Sequence, residues 1–263
     1  MISFINKPKG CRPIGIDIGN HSVKMLQLAV NGGHTQVIAA SETAVDPSIN
    51  GDAAGRKEFV AGAVKRMLCE GGFAGSKVVS CLPNDHVGIT SLRLDAGQVQ
   101  DIDDVVRREA RQRFGLGVET DSVDYIPAGS VRQAEETKEE LILFGAESQV
   151  VKAHIEILEE AGLSPSGIDT VPGALFRAFE RSLRRYEDRD RTIAFVDLGS
   201  KYTTVVFGRQ DQINLIKKIS LGGDKFNEEI AQRLSINKSE AQTLRESLRK
   251  QRNGAEEDGL DAG

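Results

Sequence analysis

The chain has 263 residues, enough for one large domain or two ordinary ones with sizeable cores, and its 39% hydrophobic and 28% charged content is that of a globular protein. A net charge of -5 argues against nucleic acid as a main partner, because neutralising phosphates needs clustered Lys and Arg. Three cysteines, Cys11, Cys69 and Cys81, are odd in number and lack C-x-x-C spacing, so neither a disulfide framework nor a zinc site is expected.

No apolar run approaches the length that spans a bilayer, and the first residues, MISFINKPKG, lack the apolar stretch of a signal peptide. The expectation is a cytoplasmic protein with reduced thiols and no direct membrane insertion, reaching a membrane only through a partner.

In chain order, IGIDIGNHSVKMLQL from Ile14 reads as two apolar strands around a short polar turn, with a third strand near Thr35 to Ala40. Arg56 to Glu70 sets Phe59, Val60, Ala63, Val64, Met67 and Leu68 on one helical stripe and stops at Gly71-Gly72. Lys77 to Leu82 is a short buried strand closed by Pro83. From about Asn84 to Pro165 a compact α+β unit is predicted. Val87, Ile89, Leu92 and Leu94 mark a strand, and Val99, Ile102, Val105, Val106 and Ala110 mark a helix. Two strands follow, around Val123 and Tyr125 and at Leu141 to Phe144, with Gly129 to Glu140 between them as an exposed polar loop. A helix from Ser148 to Ala161 carries Val150, Val151, His154, Ile155 and Leu158 on its apolar face. The basic run Arg107, Arg108, Arg111 and Arg113 is interleaved with Asp101, Asp103, Asp104 and Glu109, which reads as a solvated helix face.

A strand from Gly167 to Val171 and a helix from Pro172 to Tyr186 come next, and the charged run RRYEDRDR from Arg184 is the expected connection between halves. AFVDLGSKYTTVVFG from Ala194 is a second hairpin. Gly222-Gly223-Asp224 then opens a helix bearing Phe226, Ile230 and Leu234, with Asp224 as the expected N-cap and the glycines leaving N–H groups at the positive end. Asn237 with Glu240 forms an N-x-x-E capping pattern ahead of Ala241, Leu244 and Leu248. The acidic, glycine-rich stretch from Asn253 is predicted to be disordered.

The two hairpins align without a gap, Asp17 on Asp197, Gly19 on Gly199, Asn20 on Ser200 and Lys24 on Thr204. One Asp-x-Gly at a strand end is ordinary turn chemistry. Two copies sharing strand length, Asp position and Gly position exceed what turn propensity requires. Backbone N–H groups at such a tip make a concave anion site, and an Asp just before it suits a hydrated Mg²⁺, which is held by few carboxylates plus substrate phosphates. Two such turns are expected to close on one polyphosphate.

These paired hairpins resemble the phosphate-1 and phosphate-2 motifs of the actin, sugar kinase and heat-shock chaperone superfamily. Within it the chain is most similar to the PilM family of type IV pilus assembly, also called competence protein A, which is related to the division protein FtsA. The likeness is carried further by KVVSCLPNDHVGITSLRL from Lys77, REARQRFGLGVETDSVDYIPAG from Arg108 and LILFGAESQVVKAHIEILEEAGLSPSGID from Leu141. It runs from about Pro13 to about Leu248. The resemblance implies an α/β, actin-like (ribonuclease H-like) ATPase fold with a small inserted α+β subdomain of the FtsA/PilM, SHS2-like type. The first lobe would be 11–83 plus 166–190, the insertion 84–165 and a partial second lobe 191–252, with 253–263 as tail.

The resemblance also implies ATP and Mg²⁺ as cofactors. Asp17 and Asp197 would hold the metal through water. Gly19, Asn20, His21 and Ser22, with Lys24 as a charge partner, would form the first phosphate turn, and Gly199, Ser200, Lys201 and Thr203 the second. Gly222-Gly223 would approach the nucleotide and Glu240 the ribose, although helix capping alone accounts for both. The implied partners are the cytoplasmic tail of a PilN-like inner-membrane protein, bound beside the insertion as an extended peptide, and pilus motor components.

The pattern breaks near the end of the sequence, where family members continue through the rest of the second lobe. A truncated member, half of a split protein and a reduced form that no longer binds nucleotide tightly are all compatible with this. A second lobe built of one hairpin, a strand and two helices leaves a sheet face and an edge uncovered, which invites self-association. No G-x-S-x-G element, P-loop or histidine cluster is present, and no residue identifies itself as positioning water, so at most weak ATPase activity is expected. Three alternatives stay open: a nucleotide-free binding module, an FtsA-like division protein, and a small-molecule kinase.

Overall fold

In the computed structural model, β1 (Ile14–Ile18) buries Ile14, Ile16 and Ile18 on one face and turns Gly15 and Asp17 outward, the period-2 alternation of a sheet with one covered face. β2 (Ser22–Asn31) pairs antiparallel with it, placing Val23 and Met25 on the covered side, and β3 (His34–Ala44) extends the meander. The residues described are 10–46, 49, 51–95, 101–117, 121–133, 136–183 and 191–248. The connection from Arg184 to Asp190, the tail from Asn253 and Val99 lie outside them.

α1 (Ala53–Glu70) starts three residues before the predicted Arg56, because the Asp52 side chain accepts the Ala54 N–H and fixes the N-terminus there. Its stripe of Val60, Val64 and Met67 covers the sheet face of Ile14, Ile16 and Met25. It ends at Gly71, as expected. β4 (Lys77–Leu82) joins β1 in parallel, and β8 (Ser164–Thr170) joins β4 in parallel, giving the sheet order β3-β2-β1-β4-β8.

Between β4 and β8 the chain builds a separate three-stranded antiparallel sheet, β5-β7-β6, from β5 (Gly88–Leu94), β6 (Ser122–Gln133) and β7 (Glu136–Ala146). Leu141 and Leu143 on one face of β7 pack with Val105, Val106 and Ala110 of α2 (Ile102–Phe114), and Ile142 and Phe144 on the other face enter a second core. Covering on both faces explains the unbroken apolar run. The polar segment Gly129 to Glu140, expected as a loop, is instead ladder down to the pair Gln133↔Glu136. Its charged residues find partners in or beside the sheet, Arg93 with Glu140 at 2.7 Å and Lys138 with Asp95 at 3.0 Å. The polarity therefore signals solvent-facing strand rather than absence of strand.

α3 (Ser148–Glu160) lies within the 84–165 segment, yet its Leu158 joins the core of the first sheet and its Glu160 pairs with Lys57 of α1 at 2.7 Å. α4 (Val171–Leu183) follows β8 directly. β9 (Ile193–Leu198), β10 (Thr203–Arg209) and β11 (Gln212–Ile219) form a third sheet, order β11-β10-β9, and Phe176 of α4 shares a core with Val206, Ile213 and Ile216 of that sheet. α5 (Gly223–Leu234) and α6 (238–248) complete the described chain. No described helix is long and apolar enough to cross a membrane.

By its internal contacts the chain divides into two compact units. The first runs to Val196 and takes in Thr204–Lys218; the second is Asp197–Thr203 together with the residues from Ile219 onward.

Candidate functional site

In the first unit the turn between β1 and β2 is closed by the Gly19 N–H, which donates to the Ser22 carbonyl at 3.0 Å. The outer carbonyls are also taken: Arg56 Nη2 donates to Gly19 O at 2.9 Å and the Val45 N–H to His21 O at 2.8 Å. Asp17 and Lys24 are direct cross-strand partners, both exposed on the face of the sheet opposite α1. They line a shallow cavity of about 670 Å³ together with Glu42, Cys81 and Asp169.

Asp169 is a site residue that the sequence did not single out. It ends β8, two strands from β1 in the parallel part of the sheet, where the carboxyl ends of strands gather ligand-binding groups. Its side chain accepts the Thr170 N–H at 2.7 Å and pairs with Arg177 of α4. The signal available in the sequence was an Asp at a strand-to-helix junction, Asp169-Thr170-Val171-Pro172. Nearby, burial pushes the Cys81 thiol up to about 11, with the negative charge of Asp17 adding to the effect and Arg177 opposing it.

In the second unit Gly199 N–H donates to Tyr202 O at 2.9 Å, and Thr203 Oγ1 donates to Leu221 O at 2.6 Å. The start of α5 is docked on this turn: Gly223 N–H donates to Gly199 O at 2.9 Å and Asp224 N–H to Ser200 O at 2.8 Å. The N-cap is Gly222 without a side-chain bond, not Asp224, which lies in the first turn. The Gly223 and Asp224 N–H groups meet turn carbonyls and the Lys225 N–H meets Gly222 O at 3.0 Å, so the backbone itself serves the opening of the helix. Gly222 is required by this approach, since a Cβ there would lie 2.3 Å from Ser200 O. The Asn237 and Glu240 capping box is formed in both directions, each bond 2.9 Å. Glu240 lines a separate small cavity of about 440 Å³ with Thr243 and Ser247.

Of the predicted site residues, Asp17, Gly19, Asn20, His21, Ser22 and Lys24 are thus gathered in the first unit. Asp197, Gly199, Ser200, Lys201, Thr203, Gly222, Gly223 and Glu240 belong to the second. Among the described residues no group of three or more His, Cys, Asp or Glu side chains gathers to hold a metal.

A second feature of the first unit is a groove of about 820 Å³ beside the inserted sheet. Leu82, Val87, Ile126, Phe144, Ile168 and Phe176 make its floor, and Asp121, Asp124, Asp169, Glu180 and Asp211 stand along it with one cation, Arg177. β6 forms one wall and is an edge strand, paired among the described residues with β7 alone, although its Ala128 carbonyl accepts from the Asn214 side chain at 3.1 Å. Asp121 is already engaged, accepting from Gly117 and Ser148 N–H at 2.7 and 2.9 Å.

A profile of the type IV pilus assembly protein PilM family matches residues 15–255. The chain belongs to the PilM family. A solved PilM-PilN type IV pilus biogenesis complex superposes with a TM-score of 0.74 at 23% identity, covering 88% of this chain and 68% of that one. Ethanolamine utilization protein EutJ from Carboxydothermus hydrogenoformans gives 0.53 at 14% identity, covering 90% of this chain and 61% of that chain, less than two thirds of its length. At these identities the likeness is one of fold, and the fold of this PilM-family chain is that of the actin-like ATPases.

Proposed function

We propose that this PilM-family chain is an ATP-binding scaffold of type IV pilus assembly that holds the cytoplasmic tail of a PilN-like inner-membrane protein in the groove beside β6. The groove carries the reading. An apolar floor with an unpaired strand edge on one side suits an extended peptide, whose main chain adds to the edge and whose alternate side chains reach the floor. The solved relative is a complex of PilM with PilN. Motor components and a second copy of the chain are further partners in this reading, which places the protein in the cytoplasm, peripheral to the inner membrane.

The nucleotide part rests on the two turns taken separately, with Mg-ATP as ligand, Asp17 and Asp197 contacting the metal through water, and slow turnover at most. The segment 84–165 acts as the inserted subdomain.

Fluorescence anisotropy with a labelled PilN-like tail peptide tests the groove. Binding by the wild-type chain and a loss of about tenfold or more in Ile126→Asp is expected, since a carboxylate on the floor is left without a partner. Equal binding by a scrambled peptide sinks the reading. Calorimetry with Mg-ATP beside an Asp17→Ala control tests the turns, and absence of binding by the folded wild-type chain leaves a nucleotide-free peptide scaffold.

A further inference from the structure

Asp124 breaks the pattern of the strand that carries it. Val123 and Tyr125 of β6 pack with α2, so Ser122, Asp124 and Ile126 take the opposite face by alternation, and all three line the groove. On that face Ile126 and Phe144 belong to an apolar core, and Phe144 is the register partner of Asp124. A carboxylate thus stands beside an apolar row. It is exposed, and it accepts the Tyr125 N–H at 2.8 Å, a neutral donor that leaves its charge in place. Beyond Ile126 the strand is poorly suited to further pairing, because Pro127 has no N–H and the Ala128 carbonyl is taken by Asn214. The length of β6 open to an added strand is therefore Ser122 to Ile126, with one carboxylate and one apolar side chain two residues apart on the groove face.

α4 lines the groove with one stripe, Gly173, Phe176, Arg177 and Glu180, spaced three and four residues apart. The cation of that stripe is already taken. Arg177 pairs with Asp169 over Gly173, where an added Cβ would lie 3.0 Å from Asp169 Oδ1 and 3.5 Å from Arg177 Nη1. Against this one guanidinium the lining sets five carboxylates, Asp169 included, so the groove is negative on balance. Among the described residues no three of them gather to hold a metal ion, which leaves the charge distributed along the groove. Distributed carboxylates over an apolar floor suit a chain with cationic and apolar side chains better than they suit a bound ion.

We propose that Asp124 is a specificity-determining residue of the groove, selecting an extended segment that carries Lys or Arg two residues from an apolar side chain. In a strand added to β6, the side chains opposite Asp124 and Ile126 lie two residues apart on one face. A cation in the first position forms a cross-strand pair of opposite charge, and an apolar group in the second reaches the floor. A neutral segment would cover the same carboxylate and supply no counter-charge, which costs binding. Cytoplasmic segments beside a membrane span carry an excess of Lys and Arg, so a tail of the kind proposed above can provide the cation. The inference rests on the peptide reading of the groove and adds to it the charge and spacing of the ligand.

The probe is the peptide Ile-Ser-Ile-Ser-Lys-Ser-Ile-Ser-Ile with blocked ends and a neutral dye, symmetric so that either strand direction sets Lys two residues from Ile. Anisotropy titrations on the full chain compare it with forms carrying Gln or Glu in place of Lys, at about 0.05 M and about 0.5 M salt. At low salt the Lys form should bind about tenfold tighter than the Gln form, with the Glu form weakest, and high salt should shrink the preference. Asp124→Asn, at an exposed position, keeps an acceptor for the Tyr125 N–H and should cut the Lys preference to about twofold or less. Arg177→Gln should act in the opposite direction and tighten the Lys form a few-fold, because it releases the Asp169 carboxylate; a residue that only holds the groove together would weaken all three probes when removed. Equal binding of the Lys and Gln forms, or a preference that Asp124→Asn leaves intact, overturns the proposal, and the peptide reading survives if the tail peptide still binds. If neither the probes nor the tail peptide bind the folded chain, the reading and the proposal fall together.

Discussion

Gly19 and Gly199 occupy the same place in two hairpins roughly 180 residues apart: each donates its N–H to the carbonyl three residues on, at 3.0 and 2.9 Å, and a Cβ added to either would lie 3.0 Å from that oxygen. The repeat is thus one of backbone geometry as well as of letters. Where the copies differ is in what meets the glycine carbonyl, an arginine side chain in one and a helix N–H in the other.

That difference makes the glycine pair at the start of α5 unequal. A Cβ on Gly222 would strike backbone, 2.3 Å from Ser200 O and 2.7 Å from Gly199 O, while one on Gly223 would meet only the end of the Arg245 side chain at 3.2 Å. Gly222→Ala must lift the helix off the turn, costing about 1–3 kcal/mol as an overpacking change, and Gly223→Ala should cost less than about 1 kcal/mol. Limited proteolysis of the two variants checks this: Gly222→Ala should be cut faster between Ile219 and Leu248, and equal cutting of both would refute the steric argument.

How far the fold was legible depended on which signal each residue carried. The strands and helices with one apolar face, β1 to β4, α1, α2 and α3, follow directly from period-2 and period-3.6 patterns. The hairpin arms beyond Gly129 were hidden because both of their faces are polar, so alternation gave no contrast. Asp224 was misplaced as a cap because local chemistry could not reveal that the turn of a distant hairpin would occupy the helix N–H groups. Asp169 went unnoticed because its relation to Asp17 exists only once β8 is laid two strands from β1.

Gln27 is almost fully buried on β2 and satisfied: Nε2 donates to Arg12 O at 2.9 Å and Ala74 O at 2.8 Å, and Oε1 accepts the Ala74 N–H at 2.7 Å. Gln27→Leu keeps the volume and strands these groups, so a loss of about 2–4 kcal/mol is expected in urea unfolding. Gln27→Glu should be at least as damaging at pH 7, because a second acceptor then faces two carbonyls. A Glu variant as stable as wild type would mean that shape rather than hydrogen bonding sets this site.

Ser80 Oγ and His154 Nε2 meet at 2.8 Å in the interior. Burial, with the charge of His86 adding to it, lowers the histidine pKa from 6.5 to about 4. The unfolded chain therefore takes up the proton first. This contribution to stability is intact above about pH 6.5 and is lost as the pH falls toward about 4, amounting to about 2 kcal/mol by pH 5. Urea unfolding at pH 7 and pH 5 should show that drop in wild type and a smaller one in the double variant Ser80→Ala, His154→Leu, in which both partners are removed together. An unchanged drop in the double variant would assign the acid sensitivity to other groups.

Cys81 offers a direct report on Asp17. Its thiol, pushed up to about 11 chiefly by burial and further by the Asp17 carboxylate, holds little thiolate at pH 8, and the thiolate is the nucleophile. Iodoacetamide should therefore modify the exposed Cys69 well before Cys81, and Cys81 should quicken as the pH rises toward 11. Asp17→Asn removes the nearby negative charge and leaves the burial, so Cys81 should react a few-fold faster at pH 8 while still trailing Cys69. Peptide mapping of the alkylated cysteines reads both rates. If Cys81 is indifferent to Asp17→Asn, the two side chains do not share the cavity on the face of the sheet opposite α1, and the carboxylate assigned to the metal is not where that cavity puts it.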